Sequence, residues 1–285
     1  MHSVLPSSKF PPMNHKYPGY DYRDMPKIAI IGGTGVYNPE RFELIDKVFP
    51  DTPYGKPSDE ILIGKISGVE VAFLPRHGNK HQHPPSSVPY RANIYALKQL
   101  GVEMIVSPCA VGSLREDFKP GDLIIVDQFV DFTKRRDYTF FMDRTVHIAI
   151  PDPFCPEMNE VFDKAAKKMG IPYHMGGTYI CIEGPRFSTR AESRMFQKFG
   201  DLIGMTAVPE CQLAREMGMC YCSLATITDY DAWKEETVTI DMVLKTMSEC
   251  LDKVCRILEI GLPELAKLKE CDCREAAISC GAIEK

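Results

Sequence analysis

Asp229 and Asp231 stand two residues apart in Thr226-Ile227-Thr228-Asp229-Tyr230-Asp231, directly after the apolar run Met219-Cys220-Tyr221-Cys222-Ser223-Leu224-Ala225. Two carboxylates at the tip of a buried strand can share a proton with the nitrogenous edge of a ligand. Desolvation can hold one of them protonated near neutrality, which is what a general acid requires. The same pair could instead cap a helix or a turn, since aspartate favours both. A second group of residues suits an anion. Gly32-Gly33-Thr34-Gly35 follows the apolar residues 27–31; glycines leave backbone N–H groups open, and Thr34 adds a hydroxyl. Such a loop can also do no more than bend the chain. Pro75-Arg76-His77-Gly78 offers the planar fork of Arg76 and an adjustable donor in His77. Ala110 and Gly112 are small enough for a ligand to lie against the backbone, and Thr206 ends the short run 201–206 with another hydroxyl. Phe187 and Met205 supply flat apolar contact for a sugar or a base.

Several alternative chemistries fit poorly. The glycine loop lacks the third glycine of a dinucleotide fingerprint and the Gly-Lys-Ser/Thr of a P-loop. His77, His81 and His83 match no zinc spacing, so no metal is expected there. Cys271-Asp272-Cys273 with Cys280 lies in polar sequence beyond the last expected helix. A metal site there lacks a fourth ligand at recognisable spacing, which leaves free thiols or a C-terminal disulfide staple.

These residues need elements to position them. Short apolar runs at 27–31, 61–66, 69–74, 104–106, 122–126, 178–182, 201–206 and 219–225 read as buried strands, with 61–74 as a hairpin. Helical periodicity appears at 88–100, at 156–170, after Pro209 and from Ile240 onward. Ser113 with Glu116 and Thr189 with Glu192 both have capping-box spacing, and 132–143 reads as a long loop. Strands alternating with helices predict a single-domain α/β fold, a mixed, largely parallel sheet flanked by helices. Because nearly every strand ends in a small or polar motif, those motifs fall on one rim of the sheet, where open α/β folds bind ligands. The expected organisation is an arm at 1–25, one catalytic domain at 26–268 and a cysteine-containing tail at 269–285.

The chain has 285 residues, 44% of them apolar and 26% charged, enough for a sizeable core. A formal charge of −5 disfavours nucleic acid and acidic membrane surfaces, so an anion must be held by a few local groups. No run is long enough for a membrane helix, and residues 1–24 lack the apolar core of a secretory signal. Most of the eleven cysteines sit in apolar runs, which favours a reducing compartment such as the cytoplasm.

Six motifs in order, Gly-Gly-Thr-Gly at 32–35, Pro-Arg-His-Gly at 75–78, Gly-Ser-Leu-Arg-Glu at 112–116, Ile-Glu-Gly-Pro-Arg-Phe-Ser at 182–188, Gly-Met-Thr-Ala-Val-Pro-Glu at 204–210 and Thr-Asp-Tyr-Asp at 228–231, resemble the trimeric purine nucleoside phosphorylase family in its methylthioadenosine-cleaving branch. The resemblance implies a homotrimer or dimer of trimers, with phosphate as co-substrate and neither metal nor other cofactor. It assigns phosphate to Thr34, Arg76, His77, Ala110 and Thr206, and the ribose to Phe187 and Met205. The purine edge falls to Asp229 and Asp231, with Tyr230 between them, and Asp229 acts as the acid. Cys109 departs from the family's usual Thr or Ser, and a thiol is a weak donor, so that phosphate contact passes to the Cys109 or Ala110 backbone. Ser188 and Ile240 shape the space for the 5′ substituent, and His147 resembles a residue donated by an adjacent subunit. Relatives acting on 6-oxopurines place Asn where this chain has Asp229, which favours adenine. A broader purine nucleoside phosphorylase and a non-catalytic nucleoside-binding protein are the other readings.

Overall fold

A run such as Ile28-Ala29-Ile30-Ile31 has no polar face, so it is stable only in a sheet covered on both sides. The computed structural model describes residues 25–33, 40–235, 238–268 and 271–283. In it, eleven strands join into one mixed sheet flanked by helices. In chain order these are β1 (Ile28–Gly32), β2 (Glu43–Val48), β3 (Ile61–Ile66), β4 (Val69–Pro75), α1 (Tyr90–Gln99), β5 (Met104–Ser113), β6 (Leu123–Ile125), β7 (Gln128–Phe132) and α2 (Pro156–Met169). There follow β8 (Tyr173–Met175), β9 (Thr178–Ile182), α3 (Arg190–Phe196), β10 (Leu202–Gly204), α4 (Ala207–Glu216), β11 (Cys220–Asp229), α5 (Ile240–Leu265) and α6 (Cys273–Ser279). Alternate residues of β1 serve different layers. Ala29 and Ile31 pack with Ile94 and Leu97 of α1 and Leu213 of α4, whereas Ile28 and Ile30 pack with Phe162 of α2 and Leu258 of α5.

The long strand β5 creates the site. Its first residues pair with β1, its last two pair antiparallel with β10, and β11 runs parallel beside it for most of its length. β5 therefore leaves β1 after Ile30, two residues before β1 ends, and a cleft opens among the carboxyl ends of β1, β4, β5, β9 and β11. A change of strand partner of this kind is where an open sheet admits a ligand.

Most expected elements are present, including the hairpin of β3 and β4 and the capping box that starts α3 at Thr189. Ser113 does not cap a helix. It ends β5, and its hydroxyl instead donates to the Arg115 carbonyl and accepts from the Arg115 N–H. β11 runs on past Ala225 to Asp229 because Thr226 and Ile227 still find partners in Ala110 and Val111. The polar edge strand β2, the short β8 and the helix α6 have no counterpart among the sequence-based expectations. The cysteines at 271 and 273 are packed rather than left in a loose tail, Cys273 being buried at the start of α6. Thr34 and the rest of its loop, most of the arm at 1–25 and the expected boundary at 269 lie outside the described residues.

Candidate active site

The cleft is a cavity of about 750 Å³, within the usual size for a small-molecule site. Gly33, Arg76, His77, Cys109, Ala110 and Thr206 line one end of it. Asp229 and Asp231 line the same cavity, together with Phe187, Ser188 and Met205. Ile240 comes from α5, whose first turns supply Val243, Leu244, Met247 and Leu251 as an apolar wall.

At the anion end, Arg76 is 2% exposed and is gripped by a buried carboxylate. Its Nε donates to Glu210 Oε2 at 2.7 Å and its Nη2 to Glu210 Oε1 at 2.8 Å. Nη2 also donates to Ser107 Oγ at 2.6 Å and to the Ile31 carbonyl at 3.0 Å. Burial alone would lower the guanidinium pKa, but the charge and hydrogen bonds of Glu210 outweigh it and hold the pKa above its ordinary value. Nη1 has no partner among the described residues and remains for a ligand. Glu210 is also the acceptor for Tyr221 Oη–H at 2.7 Å and Ser107 Oγ–H at 3.1 Å, so the pair is locked from both sides.

His77 is lowered to about 4, by burial first and by the charge of Arg76 second, so it is neutral at pH 7. Its Nδ1 lies 2.8 Å from the His83 carbonyl. A carbonyl only accepts, so Nδ1 carries the hydrogen and Nε2 carries the lone pair. His77 is therefore not the second anion donor that its position suggests; it can receive a hydrogen bond from a protonated oxygen of the anion. Cys109 Sγ lies 3.5 Å from Ser223 Oγ, and burial pushes its thiol up, so it stays neutral beside the anion.

At the other end, burial raises both aspartates above the ordinary carboxylate value, and the charge of Asp231 raises Asp229 further. Asp231 has φ +51°, a left-handed conformation that aspartate tolerates better than most residues, and this turns its N–H onto Asp229 Oδ1 at 2.7 Å. The Thr228 hydroxyl lies 2.8 Å from Asp229 Oδ2 and 3.2 Å from the Val111 carbonyl. With Asp229 ionised, Thr228 donates to it. With Asp229 protonated, Oδ2–H can donate to Thr228 while Thr228 turns to Val111. The carboxyl is hydrogen-bonded in either state, as suits a group that gains and loses a proton. The hydroxyls of Ser188 and Ser193 lie close enough to Asp231 to favour its charged form, yet neither they nor Asp231 Oδ2 completes a hydrogen bond. Such buried, unpaired atoms are what a ligand's N–H groups can satisfy. Gly112 leaves the room: a Cβ there would lie 3.0 Å from Asp229 Oδ1 and 3.3 Å from Asp231 Cβ.

Between the two ends, Gly184 adopts φ +67° against Met205, whose Sδ would lie 2.5 Å from an added Cβ. Arg136 ties this region together by donating to the carbonyls of Met205, Val208 and Glu183 at 2.8, 2.5 and 2.8 Å. Neither Arg136 nor Glu210 stands out in the sequence. Glu210 reads as an acid in a first helical turn, and Arg136 as one charge among several in a loop. One expected site residue is not brought in: Tyr230 turns its ring edge-on to Trp233 and is not part of the cavity lining. His147, expected to serve an adjacent subunit, is exposed and outside this chain's own lining.

Residues 27–261 match the model of the phosphorylase superfamily. The chain is 56% identical over 252 residues to the S-methyl-5′-thioadenosine phosphorylase of Thermococcus kodakarensis, covering 88% of this chain and 97% of that one. It is 48% identical over 252 residues to the enzyme of the same name from Nitrosopumilus maritimus, covering 88% and 96%. Among solved structures, a methylthioadenosine phosphorylase from an Antarctic soil metagenomic library superposes with a TM-score of 0.85 at 44% identity, covering 90% of this chain and 92% of that one. Methylthioadenosine phosphorylase from Schistosoma mansoni in complex with adenine superposes with a TM-score of 0.85 at 37% identity, covering 90% and 97%.

Proposed function

Because the chain belongs to the phosphorylase superfamily, we infer that its cavity is the site of phosphorolysis of S-methyl-5′-thioadenosine. It is a pentosyltransferase that moves the methylthioribosyl group from adenine to phosphate, giving adenine and 5-methylthioribose 1-phosphate. The observation that carries the reading is that Arg76 and the buried pair Asp229 and Asp231 line one cavity.

The bond from C1′ to N9 breaks with its electron pair going to the base, which is a poor leaving group as an anion. Asp229, held toward its protonated form, gives a proton to the purine and lets it depart neutral, a step worth roughly 100- to 10,000-fold. Asp231 accepts from the 6-amino group. As C1′ gains positive character, phosphate held by Arg76, Thr206, Thr34 and the Ala110 backbone stabilises it and closes the new C1′–O bond. Hydrogen phosphate gives up overall the proton that adenine gains, and the Nε2 of His77 is placed to receive the hydrogen bond of that P–OH. Phe187 and Met205 cover the ribose, and the apolar α5 wall with Ile240, beside Ser188, suits a methylthio group better than a hydroxyl.

The reaction needs phosphate as co-substrate and no cofactor. The working form is a homotrimer or dimer of trimers in which His147 reaches a neighbour's cavity, and the enzyme is cytoplasmic. No helix among the described residues is long and apolar enough to cross a membrane. Adenine release from methylthioadenosine, with adenosine and inosine compared, tests the reading. Release should require phosphate and prefer methylthioadenosine; a clear preference for inosine, or release without phosphate, overturns it.

A further inference from the structure

Arg136 leaves the long loop that follows β7 and runs inward beside the cavity, where its side chain is 1% exposed. All of its N–H groups are engaged. Nε reaches Glu183 Oε1 at 3.3 Å, Nη2 donates to the carbonyls of Ile182 and Glu183, and Nη1 is shared among the carbonyls of Met205 and Val208 and the hydroxyl of Tyr90. Arg76 keeps Nη1 for a ligand, whereas Arg136 has no donor to spare and is not part of the cavity lining. An arginine whose donors all go to protein groups can act on a ligand only through those groups.

The groups it holds belong to three stretches of the cavity wall. Ile182 and Glu183 lead from β9 into Phe187 and Ser188. The Met205 carbonyl precedes Thr206, whose own N–H donates to Tyr179 Oη at 3.3 Å, so that peptide is held on both sides. The Val208 carbonyl lies two residues before Glu210, the carboxylate that grips Arg76. Tyr90 passes the link on by donating to the carbonyl of Pro85, a third part of the lining. The grip is reciprocal. Glu183 Oε2 accepts the N–H groups of Lys134 and Arg135, which fastens the loop carrying Arg136 to the strand end that Arg136 itself fastens.

We propose that Arg136 is a positioning residue that couples the two ends of the cavity, so that phosphate and nucleoside each bind more tightly when the other is present. The inference rests on the reading of this cavity as a site of phosphorolysis. A ligand must fix the backbone it touches, and fixing a backbone costs conformational entropy. Thr206 and the Arg76–Glu210 pair serve the anion, Phe187 and Ser188 serve the nucleoside, and one guanidinium holds the backbone of both. The first ligand therefore orders the segment that the second will meet. Lysine cannot replace it. A single ammonium has three donors and no planar fork, so buried carbonyls among the acceptors of Arg136 would be left unpaired.

The test is calorimetric titration of methylthioadenosine into the full-length protein with and without sulfate, an unreactive tetrahedral dianion. The wild type should bind methylthioadenosine at least about fivefold more tightly with sulfate present, and sulfate alone should slow amide hydrogen exchange across 182–188. Arg136→Lys should bring the affinity ratio close to one, abolish that slowing and lower kcat/KM for phosphorolysis on the order of tenfold. Arg91→Ala removes the ion pair to Asp137, the next residue of the same loop, and should keep the wild-type ratio. That control separates the guanidinium at 136 from anchoring of the loop in general. Should Arg136→Lys fail to fold, Glu183→Gln decides: it weakens the clamp from its more exposed side and should at least halve the ratio. A wild-type ratio near one overturns the inference, as does an unchanged ratio in the deciding variant or an equal loss in Arg91→Ala. A wild type that releases no adenine from methylthioadenosine in phosphate overturns the reading of the site instead.

Discussion

Replacing Glu210 by glutamine isolates what a buried carboxylate does for the anion end of the cavity. Glu210 receives Nε–H and Nη2–H of Arg76 and the hydroxyls of Tyr221 and Ser107, three of the four donors converging on Oε1. A glutamine keeps most of these with its oxygen at the Oε1 position, which sets its NH₂ against Arg76 Nε–H, donor against donor. One charge-assisted hydrogen bond is lost, and the guanidinium keeps its charge with no other carboxylate paired to it among the described residues. Removing one partner of a buried pair costs about 3–5 kcal/mol. At about 2–4 °C per kcal/mol for a chain of this size, the melting temperature should fall by about 6–20 °C. Arg76 also loses the brace that aims Nη1, so KM for phosphate should rise on the order of tenfold while KM for the nucleoside changes less. Scanning fluorimetry and adenine release at varied phosphate measure both. A melting temperature within about 2 °C of the wild type would refute the energetic argument, and a lower one with unchanged phosphate KM would refute the positioning role.

Asp229→Asn should keep the fold and lower kcat on methylthioadenosine by roughly 100- to 10,000-fold. In the wild type kcat should fall as pH rises through the raised pKa of Asp229, and a variant that keeps the same alkaline limb would discard the general-acid role. Gly112→Ala pushes a methyl to 3.0 Å from Asp229 Oδ1, so kcat should drop several-fold, with little change in phosphate KM; unaltered kcat would show that the aspartates have slack. His77 protonates at about 4 when folded but at 6.5 when unfolded, so between those values only the unfolded chain takes up the proton. Stability should therefore be lost as pH falls from 6.5 to about 4, on the order of 3 kcal/mol from this residue. Urea melts at pH 7 and 4.5 should show a smaller acid loss in His77→Gln than in the wild type; equal losses would mean that His77 is not held neutral.

The chain's own order of residues determined the strands that matter most and the tips they end in. Buried strands announce themselves because a period-two element covered on both faces must be apolar throughout, as at 28–31 and 178–182, and a Gly, Arg-His or Asp-Tyr-Asp tip stands out against such a run. Local signals were weaker where two structures compete for one pattern: Ser113 and Glu116 have the spacing of a cap, but pairing with β10 kept Ser113 in a strand. Partnerships between distant segments were left to the tertiary structure. Glu210 meets Arg76 across 134 positions, Arg136 gathers carbonyls from two strand ends, and Cys155, Cys220, Cys271 and Cys273 come together from three separate stretches. No periodicity encodes these, because a buried charge or thiol finds its partner only when the packing of whole elements excludes water from both. His77 shows the same limit within a single residue. Its position after β4 marked it for the anion, but burial, the neighbouring guanidinium and a carbonyl on Nδ1 decided that it accepts a hydrogen bond rather than gives one.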